Sequence, residues 1–124
     1  GCLTDNHQYE IPTVLQRGLR FFDIDTCKVI SEDKPPVIRN CHGPSMGRLF
    51  KDIMQEVGDW LDMPSRSREV VVITLGDANP GVDTQEHKNE MAELIAKDLE
   101  ETVGHLLYRP SSDGQWPTLG EMVK

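Results

Sequence analysis

Residues 70–75 read Val-Val-Val-Ile-Thr-Leu, and this run constrains the fold more than any other stretch of the chain. β-branched residues are enriched in strands because they pack well on a pleated surface, so the run predicts a strand. Its apolarity is nearly continuous rather than alternating, which predicts burial on both faces of the strand. The run therefore favours a parallel sheet.

Two further strands are predicted before this run. They cover residues 19–25 and 37–42, and the polar residues 28–36 between them are predicted to form a loop. Alternation along the first strand puts Phe21, Asp23 and Asp25 on one face. The first strand is therefore expected to present two carboxylates on the same side of the sheet.

Three stretches show apolar residues every three or four positions, the spacing of amphipathic helices. The predicted helices cover residues 9–17, residues 45–62, and residues from Asp83 or Thr84 to about Val103. A short helix capped by Thr118 is predicted to follow a polar loop over 110–116. Strands that alternate with helices predict an α/β architecture with parallel strand pairing.

The chain has 124 residues, which is enough for one small domain. Three strands do not close a parallel barrel, because such a barrel needs eight strands and about 250 residues. The chain is therefore expected to be either a small open sheet or a segment of a larger protein. The second expectation is favoured, since no strong strand is predicted before residue 9 or after residue 118.

The formal net charge of −8 limits the classes of partner. A nucleic-acid-binding protein normally carries a basic patch, so no nucleic acid is expected as a ligand. The acidic balance also disfavours adsorption to anionic membranes through a polybasic segment. No stretch approaches the roughly 18 apolar residues of a membrane span. An acidic surface is compatible with cation binding.

The three cysteines, Cys2, Cys27 and Cys41, include no Cys-x-x-Cys pair, which argues against a zinc ribbon or a thioredoxin-like motif. A disulfide between Cys27 and Cys41, or from Cys2 to one of them, is compatible with an oxidising compartment. The alternative is three separate thiols. The sequence leaves these alternatives open.

Candidate functional side chains fall at the predicted carboxyl ends of the strands. Asp23 and Asp25 share a face of the first strand, His42 ends the second, and Asp77 follows the apolar run. Active sites of α/β folds collect at this edge of the sheet. Two carboxylates and an imidazole there form either a divalent-metal site or an acid/base site. Asp77 also fits ordinary turn chemistry, because Gly, Asn and Pro surround it.

Two other histidines, His87 and His105, lie on or near the predicted long helix. Both are predicted to be solvated surface residues. Trp60 occupies an apolar position of the helix over 45–62 and is predicted to belong to the core.

Four segments follow the order and spacing of a known family. They are LQRGLRFFDID at 15–25, CHG at 41–43, VVITL at 71–75 and DGQWPTLGEM at 113–122. Together they resemble the X domain of phosphatidylinositol-specific phospholipase C, and more closely the PLC-like phosphodiesterases of plants, fungi and microbial eukaryotes. The family fold is a distorted TIM barrel. The resemblance therefore implies that residues 1–124 are one partial domain, a segment of a TIM-type (β/α)8 barrel with about strands 2 to 4 and their helices.

The family's chemistry uses two histidines. His42 matches the second, which is the general acid. The first, the general base, has no match in this sequence, since His7 lies in the wrong segment and too close to the strand at 19–25. The resemblance thus implies catalytic roles for His42 and for Asp23, which would either hold the imidazolium or bind a metal ion.

The resemblance also implies a metal site. Asp23 matches a position that is acidic throughout the family, and Asp25 matches a calcium ligand of the eukaryotic enzymes. The family's fourth-strand Glu is replaced by Gly76, and Asp77 follows it, so Asp77 is the third candidate ligand. The implied cofactor is Ca²⁺ or Mg²⁺, either of which prefers oxygen ligands.

By resemblance, the chain is expected to cleave a phosphodiester of a phosphoinositide or related phospholipid by histidine acid/base catalysis, provided that the first strand and its histidine are supplied. The alternative is a catalytically inactive PLC-like module, a structural or binding component of an extracellular or cell-surface assembly, with other chains completing the barrel. A nucleotide-binding domain is disfavoured because no Gly-x-Gly-x-x-Gly or P-loop motif occurs. Extracellular members of the family and the cysteine pair favour secretion.

Overall fold

The computed structural model describes residues 11–43, 45–79, 83–109, 118 and 122. These residues form a four-stranded sheet and three α-helices. The strands are β1 (Phe21–Ser31), β2 (Lys34–His42), β3 (Ser45–Leu49) and β4 (Val72–Asp77). The helices are α1 (Ile11–Gln16), α2 (Phe50–Leu61) and α3 (Gln85–Val103), and 3₁₀ turns cover Pro64–Arg66 and Gly104–Leu106.

The sheet is mixed, and this corrects the predicted fold class. Its strand order is β3-β2-β1-β4, with β2 antiparallel to both of its neighbours and β1 parallel to β4. A segment of a TIM-type (β/α)8 barrel would have consecutive parallel strands with a helix between them. Among the described strands only β1 and β4 run parallel, so the barrel prediction was wrong and the arrangement is α+β.

The error originates in residues 28–36, which were predicted to form a loop. They instead continue β1 to Ser31 and begin β2 at Lys34, with Glu32 and Asp33 as the turn. Asp33 has a φ of 62°, in the left-handed region that tight hairpin turns use. Two residues can join only antiparallel strands, since a parallel crossover needs about a dozen or more. Polar and proline residues suggested a loop, but here they form the exposed end of a hairpin.

The helix predicted over 45–62 begins later than expected. Residues 45–49 form β3, which pairs with β2, and α2 begins at Phe50. Gly47 permits this pairing, because a Cβ there would lie 2.2 Å from Asn40 Oδ1 and 3.1 Å from the Asn40 backbone oxygen. A side chain at position 47 would push β3 away from β2.

The described helices pack on one face of the sheet. Along β1, Phe22 and Ile24 are buried on this face, whereas Phe21 and Asp23 are exposed on the other. The core joins the covered face to all three helices. Its buried apolar residues are Ile11, Leu15, Phe22, Ile24, Ile38, Phe50, Ile53, Met54, Val57, Trp60, Met91 and Val103. The core position predicted for Trp60 is therefore confirmed.

The burial predicted for both faces of β4 was wrong. Thr74 and Leu75 are exposed, and the other residues of this strand are at most half-buried. The physical reason is the position of β4 at the end of the strand order, where β1 is its one described neighbour.

The helix ends agree better with prediction. Gly18 follows α1 with a φ of 102°, a conformation that glycine adopts without strain. Thr84 precedes α3, and its Oγ1 accepts a hydrogen bond of 3.1 Å from His87 N, as expected of an N-cap. Helix α3 ends at Val103, as predicted, and Gly104 follows it as the C-cap.

Several predictions fall wholly or partly outside the described residues. These are the loop over 110–116, the motif at 113–122, Cys2 and His7. Of the predicted final helix, Thr118 and Met122 are described, and Met122 N donates to Thr118 O at 3.3 Å. Among the described helices, none combines the length and apolarity that a membrane crossing requires.

Cys27 and Cys41 form a disulfide, which resolves one alternative that the sequence left open. Their Cα atoms are 6.0 Å apart, and both residues are buried. Cys27 lies two residues after Asp25 on β1, so the bond joins β1 to β2 on the carboxylate face of the sheet.

Candidate functional site

The two carboxylates of β1 share the face of the sheet opposite to the helices. Asp23 pairs with Thr74 and Asp25 pairs with Gly76 in the parallel register between β1 and β4. Residues two apart on a strand lie about 7 Å from each other along it, so the carboxylates form a close pair. Thr74 Oγ1 donates a hydrogen bond of 2.9 Å to Asp23 Oδ1, which fixes one oxygen and leaves the other accessible.

Asp25 extends over the neighbouring strand at a position where that strand has no side chain. A Cβ built on Gly76 would lie 3.0 Å from Asp25 Oδ1, closer than ordinary van der Waals contact. Gly76 therefore provides the space into which the Asp25 carboxylate points. The two departures from strand-typical sequence, Asp at 25 and Gly at 76, are structurally coupled.

No cation neutralises this pair within the described ranges. Neither Asp23 nor Asp25 belongs to an ion pair there, and the hydrogen bond from Thr74 is neutral. Asp23 is exposed and Asp25 is half-buried. Two carboxylates held close together attract a cation because each makes the electrostatic potential at the other more negative.

His42 lies level with the carboxylate pair along the sheet. It is the last residue of β2, is exposed, and pairs with Ser45 of β3. The last register pair between β1 and β2 is Thr26 with Asn40, and continuing that register by two residues brings His42 level with Ile24. Strict alternation assigns the His42 side chain to the face of Asn40 rather than to the carboxylate face.

The Asp77 side chain lies on the helix-covered face of the sheet, not with Asp23 and Asp25. Its register partner on β1 is Thr26, whose side chain is buried on the helix-covered face. Asp77 Oδ2 lies 2.8 Å from His87 Nε2, and Asp77 Oδ1 accepts a hydrogen bond of 3.0 Å from Asn79 N. The structure therefore brings Asp23 and Asp25 together but does not bring Asp77 to them.

The loop after β4 is hydrogen-bonded to β1 through the side-chain amide of Asn79, which takes the place of a paired backbone amide. Asn79 Oδ1 accepts from Lys28 N at 2.9 Å, and Asn79 Nδ2 donates to Lys28 O at 3.3 Å. Ala78 N donates to Thr26 O at 2.9 Å, which continues the parallel ladder. These bonds satisfy backbone groups of β1 beyond the last residue of β4 and attach the following loop to β1.

Sequence reasoning missed Thr74, Asn79 and the role of His87. His87 was predicted to be a solvated surface residue, but its side chain is only 4% exposed. Thr74 is the single polar residue of the run at 70–75, a signal that could have marked it as a partner of the carboxylate face. Asn79 and His87 gave no comparable signal, because their contacts depend on how β1, β4 and α3 meet.

The described residues offer a cation two carboxylates rather than a complete cage. No group of three or more His, Cys, Asp or Glu that could hold a metal is found in the part of the chain that the structure describes. Mg²⁺ is commonly held by one or two carboxylates together with waters and substrate phosphates, and Ca²⁺ takes six to eight oxygens. Asp23 and Asp25 therefore fit a cation that completes its shell with water and substrate oxygens.

Comparison with known proteins found no match to a family model, to a curated protein or to a solved structure. The resemblance to PLC-like phosphodiesterases therefore rests on the motifs in the sequence. The structure itself shows a carboxylate pair beside a parallel strand, and a histidine at the end of the adjacent antiparallel strand whose side chain alternation assigns to the other face.

Proposed function

We propose that this chain belongs to a phosphoric diester hydrolase or lyase similar to phospholipase C, which cleaves a phosphoinositide or a related phospholipid. The single observation that carries the proposal is the carboxylate pair Asp23 and Asp25, which has no cationic partner within the described ranges. Asp25 is half-buried, and a half-buried carboxylate costs free energy unless a partner compensates its lost hydration. A divalent cation would compensate the negative charge of the carboxylates and could bind the phosphate of a substrate at the same time.

The proposed chemistry needs a base, a positive charge and an acid. A cation held by Asp23 and Asp25 would supply positive charge next to the phosphoryl oxygens. His42 is proposed to protonate the leaving alkoxide, a role that suits imidazole and that requires its side chain to turn past the end of β2 toward the carboxylate face. The proposal requires a second histidine as the base, which the resemblance assigns to a segment with no match in this sequence.

The disulfide supports a proposed extracellular location. Disulfides persist in oxidising compartments and are rare in the cytosol. Cys27 and Cys41 are both buried and bonded to each other. The proposed substrate is therefore a phospholipid or phosphoester at the outer surface of a cell, and other chains are proposed as further partners.

A second candidate function is a non-catalytic module of an extracellular or cell-surface assembly. Two observations favour it. Alternation assigns the His42 side chain to the face opposite the carboxylates, and Gly76 stands where the family has a metal-binding Glu. A module of this kind would keep the cation site and lose turnover.

Turnover of matched variants tests the proposal. The natural polypeptide that contains this chain is assayed with phosphatidylinositol vesicles in the presence of Ca²⁺ or Mg²⁺. We expect His42→Ala to lower kcat by about 10²–10⁴-fold, the size of a general-acid contribution. The matched control is His105→Ala, because His105 is an exposed histidine that contacts Asp62 at 2.8 Å, on other elements.

The assay separates the two candidate functions. Native turnover that falls in His42→Ala and in Asp25→Asn, but not in His105→Ala, supports the enzyme. Turnover that is unchanged in His42→Ala would remove histidine acid catalysis at this position. Vesicle binding without any turnover of the native protein would favour the non-catalytic module.

A further inference from the structure

The geometry points to the Cys27–Cys41 disulfide as the positioning device of His42. We infer that this bond holds the end of β2 at a fixed place level with the carboxylate pair along the sheet, and that without it the His42 end moves while the rest of the domain stays folded. The positional part of this inference stands on the structure alone. Its consequence for turnover rests on the proposed function.

The disulfide lies next to both halves of the candidate site. Cys41 directly precedes His42, and Cys27 follows Asp25 by two residues. Cys41 and Cys27 are 0% and 1% exposed, so the bond is enclosed by protein. A shift of Cys41 relative to β1 would therefore move His42 relative to Asp25 by a similar distance.

Backbone pairing alone holds this end of β2 weakly. On the β1 side, the register pairs stop at Thr26 with Asn40, two residues before His42. On the other side, His42 pairs with Ser45 of β3, which is a five-residue strand at the end of the strand order. The register between β2 and β3 also shifts between Arg39 and Cys41. The covalent bond therefore joins β2 to β1 where the hydrogen-bonded ladder has ended.

The hydrophobic core and the hairpin of β1 and β2 stabilise the fold independently of this disulfide. The core lies on the opposite face of the sheet, where Ile24 and Ile38 are 1% and 2% exposed. The hairpin continues from Thr26 and Asn40 to Ser31 and Lys34 through its own register pairs. Loss of the disulfide is therefore expected to loosen the His42 end before it affects the core.

Removal of the bond has a simple chemical balance. A dithiol such as dithiothreitol attacks one sulfur as a thiolate and forms a mixed disulfide, which its second thiol then resolves. Two electrons and two protons pass to the protein, Cys27 and Cys41 become thiols, and the reagent becomes a cyclic disulfide. Because both sulfurs are buried, a Cys27→Ala/Cys41→Ala variant gives cleaner access to the same state.

The test is NMR of the His42 backbone and imidazole in the natural polypeptide, for the native protein and for Cys27→Ala/Cys41→Ala. We expect the order parameter of the His42 amide to fall from about 0.85 to below about 0.6, with Ile24 and Ile38 unchanged. The control variant is Ile53→Val, which removes one buried methyl group from α2 and leaves the disulfide intact. It should leave the His42 signals unchanged.

Each outcome decides the inference. An unchanged order parameter of His42 in the folded double variant overturns it, whatever turnover does. If the double variant does not fold, the same spectra are recorded on native protein in dithiothreitol, and loss of the whole fold there overturns it too. A mobile His42 with lower kcat supports both proposals. A mobile His42 with native turnover keeps the positioning role and contradicts catalysis by His42.

Discussion

Two histidines of this protein make similar contacts but differ in how deeply they are buried, and therefore in how much they are expected to contribute to stability. His87 contacts Asp77 and His105 contacts Asp62, and both contacts have a shortest distance of 2.8 Å. The side chain of His87 is 4% exposed, whereas that of His105 is 58% exposed. A buried contact loses more when it is removed, because a cavity and an unsatisfied polar group remain, whereas water replaces an exposed one.

We predict that the two histidines contribute unequally to stability. His87→Ala should lower the free energy of unfolding by about 2–3 kcal/mol, since it empties a buried site and removes the partner of Asp77. His105→Ala should cost less than about 1 kcal/mol. Urea unfolding at pH 7 measures both. Equal losses in the two variants would show that burial does not separate these contacts.

The candidate residues could be predicted only in part. Alternation along a strand was enough to put Asp23 and Asp25 on one face, because it depends on local backbone geometry alone. Asp77 was predicted to join them, but its contact with His87 depends on where the first turn of α3 lies. Such a contact is set by packing between elements, which the local sequence does not specify.

At the scale of elements, helices were predicted more accurately than strand connections. The stripe of apolar residues in α2 and the Thr84 cap of α3 are local features, and both were found. The hairpin of β1 and β2 was missed because its turn, Glu32 and Asp33, lies within polar residues that also suit a loop. Only pairing with the partner strand makes such residues a strand, and this pairing is a tertiary effect.

Helix α3 contains a carboxyl group whose titration opposes folding at neutral pH. Burial raises the pKa of Asp98 above its ordinary value, Lys51 opposes that rise, and Glu101 adds to it. A raised pKa means that the folded state binds the proton more tightly than the unfolded state. Stability from this group is therefore present at low pH and is lost as the pH rises through the folded pKa.

We predict that Asp98→Asn shifts the urea midpoint upward slightly at pH 7, because the amide carries no charge to desolvate. The gain should disappear in acid, below the ordinary pKa of an aspartate, where the native Asp98 is protonated in both states. Glu93→Gln, at an exposed position of the same helix, is the matched control. A gain for Asp98→Asn that is as large in acid as at pH 7 would contradict this explanation.

At the scale of the whole molecule, one reversal of strand direction separates the predicted fold from the observed one. The parallel pair β1 and β4 is present, and the apolar run at 70–75 supplies most of β4. Between them, however, the chain makes two antiparallel pairings before α2. Periodicity predicted the elements, but the direction of each strand depends on connection lengths that periodicity does not give.

The same arrangement brings β4 next to the carboxylates, with Thr74 and Gly76 beside Asp23 and Asp25. Our central proposal is that this carboxylate pair binds a divalent cation for phosphodiester cleavage. Asp77 is not expected to take part, because it already contacts His87 at 2.8 Å.

Calorimetric titration of Ca²⁺ into the natural polypeptide tests this proposal most directly. We predict binding with a dissociation constant of about 10⁻⁴–10⁻³ M, the range of weak extracellular sites. The heat should be lost in Asp25→Asn and kept in Asp77→Asn. Absence of heat in the native protein, or heat that survives Asp25→Asn and disappears in Asp77→Asn, would contradict it.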